Sequence, residues 1–163
     1  MLPSLLIGVG TLSLLLGALF AFVGWIRRQQ VSSLKRARET FRLRREWLEA
    51  SFLGRAAASG KPRGLRWVNC DFENGVSFAR DRRTGRYRAL VGVTISFEAI
   101  KGGGMEDVEA VGNLRAATVV FRLDGPEWRA DDRALFNLNP AEAIAHYQNE
   151  LESVEPDRYS PLA

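Results

Sequence analysis

An uninterrupted apolar segment near the start of the chain restricts its possible folds more than any other feature. Residues Leu5 to Ile26 contain no charged side chain. At about 1.5 Å per residue they would form a helix of roughly 33 Å, long enough to cross the hydrocarbon core of a bilayer. Trp25 lies at the end of the segment, where an indole ring prefers the headgroup region. The sequence therefore predicts a transmembrane helix.

A cleaved signal peptide is a weaker interpretation of the same segment. Signal peptides carry basic residues before a shorter apolar core and a small-residue cleavage site after it. No lysine or arginine precedes Leu5, and the sequence Trp-Ile-Arg-Arg closes the segment. We therefore expect residues 1–28 to stay attached as a membrane anchor.

The charges that follow the anchor predict its orientation. Between Arg27 and Arg45 there are eight basic residues and one acidic residue, Glu39. Lysine and arginine resist translocation, so we expect a single-pass protein of the cell membrane with its soluble domain in the cytoplasm. The only cysteine, Cys70, cannot form an internal disulfide and fits a reducing compartment. The basic residues expected to contact anionic lipid headgroups are Arg27, Arg28, Lys35, Arg36 and Arg38.

The net charge of +4 is unevenly distributed along the chain. Residues 1–63 contain 11 basic and 3 acidic residues, whereas residues 64–163 contain 12 basic and 16 acidic residues. The basic character therefore belongs to the segment beside the membrane. The remainder is mildly acidic, which argues against nucleic acid as a partner.

Two features of the N-terminal third could support self-association. Ser13, Gly17 and Ala21 are spaced four residues apart, and such small residues let two membrane helices approach closely. A basic juxtamembrane helix and linker are expected over residues 29–63, with Ser32 or Ser33 as the N-cap. This helix either lies with a solvated, lipid-contacting basic face or continues as a parallel coiled coil. Its apolar face comprises Leu34, Ala37, Phe41, Leu48 and Phe52.

Alternating apolar and polar residues then predict a series of strands. The clearest covers Tyr87 to Ala99, where alternate residues form one buried and one open face. The other strands are expected over Leu65 to Phe72, Val76 to Asp81, Leu114 to Leu123, and one or two short stretches after Glu127.

A short C-terminal helix is expected over residues 139–154. Asn139 can cap it, Pro140 suits its first position, and Glu142 completes a capping box. The fold class is therefore α+β: a transmembrane helix, a long helix packed on a four- to five-stranded antiparallel sheet, and a closing helix. The soluble domain is expected over residues 64–155, with a flexible tail at 156–163. This element order is similar to cystatin-like and nuclear-transport-factor-2-like folds.

The sequence IKGGGMEDVEAVGN, residues 100–113, combines three glycines with a dense acidic cluster. A phosphate-binding loop would need Gly-Lys-Ser/Thr and a following helix. Lys101 instead precedes the glycines, and a strand follows them. We therefore expect a flexible connection between two strands.

The acidic residues of this loop have three interpretations: a solvated surface, a Mg²⁺ or Ca²⁺ site, or a docking site for a partner protein. They do not match the spacing of a known calcium loop, and no histidine or cysteine that would favour zinc accompanies them. We predict no metal and no cofactor. The predicted docking loop consists of Met105, Glu106, Asp107, Val108 and Glu109.

Catalytic motifs are absent from the sequence. His146 is the only histidine, and nothing in its spacing from Cys70 predicts that the two form a catalytic pair. A basic hairpin with nearby aromatic residues could stack nucleic-acid bases, but it is more often a charged turn above core aromatics. Its residues are Arg80, Arg82, Arg83, Arg86 and Arg88, with Trp67, Phe78 and Tyr87.

Three stretches resemble small membrane-anchored proteins of planctomycete bacteria. They are FARDRRTGRYRALVGVTISFEAI, GGMEDVEAVGNLRAATVVF and RALFNLNPAEAIAHY. The resemblance covers roughly Gly64 to Gln148. It implies localisation and architecture and assigns no activity or functional residue.

The sequence thus predicts a non-catalytic, membrane-anchored interaction or scaffold module with an unidentified protein partner. The alternative is a small-ligand-binding or enzymatic domain with a cavity between the first soluble helix and the sheet. An interaction module should fill that interface with Phe, Val and Leu, whereas a ligand site should leave a pocket with convergent polar groups.

Overall fold

The computed structural model describes the backbone of residues 2–60 and 62–154, and their side chains except those of residues 2–16, 26–30, 132 and 133. The chain divides into two compact units, Met1–Glu39 and Thr40–Ala163. Within the described part of the chain, no helix is both long enough and apolar enough to span a membrane. Residues 5–16 and Ile26 of the predicted anchor lie outside the described side chains.

The first helix, α1, runs without interruption from Leu2 to Ala58. The predicted N-cap at Ser32 or Ser33 is therefore wrong. No proline or glycine lies between Trp25 and Leu53, so no residue of the kind that commonly ends a helix is present near these serines. It ends where the Ser59 amide donates to the Arg55 carbonyl oxygen at 2.9 Å and Gly60 adopts a left-handed φ of 63°.

The second unit is an α+β domain with an antiparallel sheet, as the sequence predicts. The sheet has six strands rather than four or five, in the spatial order β5-β4-β3-β2-β6, with β1 also paired to β3. The strands are β1 (Leu65–Phe72), β2 (Ser77–Asp81), β3 (Tyr87–Ala99), β4 (Arg115–Asp124), β5 (Glu127–Phe136) and β6 (Leu151–Ser153). The similarity in element order to cystatin-like and nuclear-transport-factor-2-like folds stays a prediction.

The long strand β3 organises the sheet because two strands share one of its edges. Phe72 at the end of β1 pairs with Val93, and Ser77 at the start of β2 pairs with Leu90. Strands β1 and β2 thus follow one another along the same edge of β3, and residues 73–76 separate them. Arg45 of α1 stabilises this break by donating to the carbonyl oxygen of Asn74 at 2.7 Å and to that of Glu73.

The C-terminal region contains a helix and a strand instead of the single predicted helix. Helix α2 covers Pro140–His146 only. Its predicted capping box is confirmed: the Glu142 amide donates to Asn139 Oδ1, and the Asn139 amide donates to Glu142 Oε2, both at 2.9 Å. Leu151 then pairs with Asp81. Strand β6 thereby satisfies backbone hydrogen-bonding groups along the outer edge of β2.

One face of the sheet packs against the part of α1 that begins at Thr40. Phe41 makes edge-to-face contacts with Phe78, Phe121 and Trp128 at centroid distances of 5.8, 5.4 and 5.1 Å. Trp128 Nε1 donates to Thr40 Oγ1 at 3.2 Å. Other buried residues of this helix-facing side are Leu48, Phe52, Ala89, Val91, Val93, Ile95, Phe97, Ala117, Val119 and Ala130.

The opposite face is only partly covered. Ala79, Leu90 and Ala143 form a small buried cluster beneath α2. Thr118 is also fully buried, and its hydroxyl donates to the Leu138 carbonyl oxygen at 2.7 Å. We call this side the α2 face.

Candidate functional site

The glycine triplet has a structural explanation in the connection after β3. Gly102 and Gly104 have φ angles of 79° and 73°, which are costly for other residues. Gly103 lies so close to Gly64 that an added Cβ would approach the Gly64 Cα to 2.8 Å. The Ile100 amide also donates to the Gly64 carbonyl oxygen at 2.8 Å. The predicted loop between strands is observed, and its glycines allow a close backbone approach.

The predicted docking loop is only partly available to a partner. Glu106 accepts a hydrogen bond from the Gly102 amide. The hydrogen bond from its own backbone N–H, followed by that from Gly102, lowers the pKa of the Glu106 carboxyl below its usual value. Met105 is half-buried beside Gly64. Asp107, Val108 and Glu109 face solvent.

The acidic loop does not meet the requirements of a metal site in the described structure. Among the described residues, no group of three or more His, Cys, Asp or Glu side chains is arranged to hold a metal ion. Glu106 uses one carboxylate oxygen within its own loop.

Two of the three aromatic residues predicted near the basic hairpin pack into the core. Phe78 is buried in the helix-facing core, and Trp67 packs edge-to-face with Phe52 and Phe97 at 5.9 and 4.9 Å. Two of the arginines are bound to neighbouring carbonyl oxygens: Arg80 donates to that of Gly85 at 3.0 Å and Arg82 to that of Gln148 at 2.9 Å. Phe78 and Trp67 are therefore not placed to stack bases on this hairpin.

Cys70 and His146 are not a catalytic pair. Cys70 pairs with Ile95 and so belongs to the helix-facing side, whereas His146 ends α2 on the other side of the sheet. Burial raises the pKa of the Cys70 thiol to about 11, which leaves little reactive thiolate at neutral pH. The His146 ring is exposed and contacts Tyr147 at a centroid distance of 4.9 Å.

Several residues predicted to act at the membrane can be placed only in part. Ser13, Arg27 and Arg28 lie outside the described side chains. Gly17 and Ala21, the other two residues of the predicted dimer face, are exposed. The remaining predicted lipid-contacting residues, Lys35, Arg36 and Arg38, are also exposed.

The part of α1 that begins at Thr40 carries two exposed large apolar side chains that were not predicted from the sequence. Leu43 is 76% exposed and Trp47 is 62% exposed. Residues four apart on a helix are neighbours, so these two form one patch on the side away from Phe41 and Leu48. In the sequence, both residues lie outside the apolar stripe of the helix and among charged residues. This position is the feature that would have predicted their exposure.

A pocket of about 470 Å³ lies on the α2 face. It is not the cavity that the alternative interpretation of the sequence predicts, because that cavity would lie between the first soluble helix and the opposite face of the sheet. The pocket has an apolar part and a charged rim. Its lining residues are Asp81, Arg88, Val120, Asp131, Ala134, Leu135, Tyr147, Glu150 and Leu151.

An ion pair forms part of the pocket wall. Arg88 Nη2 lies 2.7 Å from Asp81 Oδ2, and both side chains are largely buried. The hydrogen bond from Arg88, assisted by the Thr84 backbone amide, holds the pKa of Asp81 well below its usual range. The two charges therefore persist together at neutral pH.

An irregularity in β5 shapes the same pocket. Phe121 pairs with Ala130, but Val119 pairs with Ala134, so β5 contains extra residues opposite Val120. Such bulges bend a strand and redirect its side chains. Asp131 and Ala134 both line the pocket as a result. In the sequence, the alternation of apolar and polar residues is interrupted at residues 130–134, and this interruption is the feature that would have predicted the bulge.

No protein-family model matches this chain, and no curated protein or solved structure matches it either. The resemblance to planctomycete proteins accordingly stays a prediction.

Proposed function

We propose that this chain is a membrane-anchored, non-catalytic interaction module with a cytoplasmic soluble domain. The apolar segment Leu5 to Ile26 and the basic residues that follow it support the anchor and the orientation. The observation that carries the interaction role is the exposed pair Leu43 and Trp47.

The packing around α1 supports this role over a cavity beneath the helix. The side of α1 that faces the sheet is occupied by fully buried side chains such as Leu48 and Phe52. The helix therefore needs no further apolar residues for packing. Leu43 and Trp47 nevertheless lie on its outer side, and a tryptophan that becomes buried on binding often contributes a large share of the binding energy.

The experiment that tests this role uses a photo-crosslinking residue at position 47 of the full chain in intact cells. We expect one protein to be crosslinked from position 47 and not from position 83, an exposed turn position. Capture of the same protein should be lost in Leu43→Ser/Trp47→Ser and retained in Leu114→Ser, which changes an exposed leucine elsewhere.

The predicted docking loop is tested in the same experiment. Changing Glu106, Asp107 and Glu109 to alanine removes the acidic surface of residues 105–109. If capture is unchanged both in this variant and in Leu43→Ser/Trp47→Ser, neither surface binds the partner and the interaction role is contradicted.

The pocket favours a second candidate, a small-ligand-binding domain. Its apolar part and charged rim have the character of ligand sites. A ligand that binds there should stabilise the protein against heat in wild type and in Glu152→Ala, but less in Glu150→Ala, since Glu150 lines the pocket and Glu152 does not.

A further inference from the structure

Three arginines lie directly opposite one another on adjacent strands of the α2 face. Arg88 pairs with Arg122, and Arg122 pairs with Arg129. The Cα atoms of opposed residues are about 4.5–5.5 Å apart, and their side chains project from the same side of the sheet. Like charges in such positions repel each other. We call these three residues the arginine row.

The two outer arginines of the row have carboxylate partners. Arg88 is paired with Asp81 at 2.7 Å. Arg129 lies 3.8 Å from Glu127 and 4.0 Å from Asp124. Asp124 is itself held more closely by Arg86, at 2.6 Å. Asp81, Asp124 and Glu127 are therefore already engaged by Arg86, Arg88 and Arg129.

The central residue, Arg122, is different. It is exposed, and among the described residues no hydrogen bond or ion pair involves its side chain. It lies between two other arginines, Arg88 and Arg129, each of which is paired with a carboxylate. Among the described side chains, Arg122 is thus the one member of the row without an ion-pair partner.

We propose that Arg122, flanked by Arg129 and Arg88, binds a phosphate group of a ligand. A planar guanidinium donates two parallel N–H bonds to an oxyanion. Phosphate has enough oxygens to accept from more than one guanidinium, which a carboxylate does less well. The strand register places the three arginines in one row on the same side of the sheet, with Arg122 between the other two. The phosphate belongs either to a free phosphomonoester or to a phosphodiester such as a lipid headgroup.

The first measurement is the thermal unfolding of the full chain in a non-ionic detergent, with inorganic phosphate replacing chloride at constant ionic strength. We expect a saturable rise in Tm of about 2–4 °C in wild type. Arg122→Gln should lose this rise, and Arg122→Lys should keep only part of it because an ammonium group cannot donate in the bidentate geometry. Arg122 is exposed, so these variants should fold normally.

The matched control is Arg66→Gln, which makes the same charge change on β1, where Arg66 pairs with Glu98. Phosphate also stabilises proteins by exclusion from their surface, and that contribution should be equal in all variants. The proposal is overturned if Arg122→Gln keeps the wild-type shift, or if wild type shows no shift beyond that of Arg122→Gln.

The second measurement distinguishes the two sources of phosphate. Glycerol 3-phosphate carries a monoester, whereas glycerophosphoglycerol carries the diester of a lipid headgroup. An Arg122-dependent shift with the monoester alone assigns the site to a free phosphorylated molecule. A comparable shift with the diester assigns it to lipid headgroups. If neither compound gives an Arg122-dependent shift, the site does not bind ligand phosphate.

Discussion

The two faces of the sheet are made from alternate residues of the same strands, yet they have opposite character. On the helix-facing side, Val91 and Phe121 are fully buried among aromatic rings. On the α2 face, the same two strands carry the charged residues Arg88 and Arg122, which pair across the sheet, and Arg88 lines the pocket. Because successive residues of a strand point to opposite sides, one strand can serve both purposes.

We therefore expect the two faces of the sheet to have different roles, one in stability and the other in binding. The helix-facing side buries nearly all its large apolar side chains, so changes there should mainly alter the free energy of unfolding. The α2 face carries charged groups around a pocket, and Arg122 and Arg129 are exposed, so changes there should mainly alter binding and pH dependence. The outer side of α1 adds an exposed apolar patch at Leu43 and Trp47.

The largest effect is expected for Phe52→Ala on the helix-facing side. Phe52 is fully buried and packs against Trp67 and Phe72 at 5.9 and 6.1 Å. Its removal should lower the free energy of unfolding by about 3–5 kcal/mol, measured by denaturant unfolding of the full chain in detergent. Leu43→Ala, on the same helix, should change it by no more than about 0.5 kcal/mol. Similar losses in both variants would show that the outer side of α1 is also packed.

An intermediate effect is expected for Gly103→Ala in the connection between β3 and β4. The new Cβ would lie 2.8 Å from both the Gly64 Cα and the Ile100 carbonyl oxygen, so the backbone must move. We expect a loss of about 1–3 kcal/mol in the free energy of unfolding. Gly112→Ala is the control, because an added Cβ there meets nothing within 4 Å. Equal stability of the two variants would mean that the loop does not need its close contact with Gly64.

The smallest effect concerns the pH dependence of the α2 face. The pKa of Asp81 is lower in the folded state, so its contribution to stability is complete above the ordinary carboxyl pKa of about 3.9. It is lost as the pH falls from there towards the lower folded-state pKa. Asp81→Asn should therefore remove about 1–2 kcal/mol of stability at neutral pH and flatten the acid limb of the profile. Asp107→Asn, in the exposed loop, should keep the wild-type profile; an unchanged acid limb in Asp81→Asn would exclude the ion pair as its cause.

The elements that the sequence predicts well are those determined by local patterns. Alternation alone gives the observed limits of β1 and β3, and the capping box at Asn139 gives the start of α2. The strand β6 was missed because three residues contain too little alternation, and their pairing depends on the distant edge of β2. The boundary within α1 was wrong because a change in polarity does not break a helix.

The functional features of the α2 face depend on register, which the sequence does not contain. Arg88, Arg122 and Arg129 are separated by dozens of residues or by a turn, and only strand pairing aligns them. The pocket likewise requires the bulge in β5 and the position of Tyr147 after α2. The sequence pattern places Arg88 in a basic hairpin, but it does not predict which residues lie opposite Arg88 across the sheet.

The pairing of β6 with β2 has a consequence for how this domain folds. Ala79 pairs with Ser153. The outer edge of β2 therefore lacks this strand partner until the ribosome has synthesised β6. Contacts between residues so far apart in sequence form slowly, because a long loop must close before they gain any energy. During synthesis the hydrogen-bonding edge of β2 is thus open to other chains, and unpaired strand edges promote aggregation. We expect the nascent chain to be most vulnerable to mispairing between the completion of β4 and the arrival of β6.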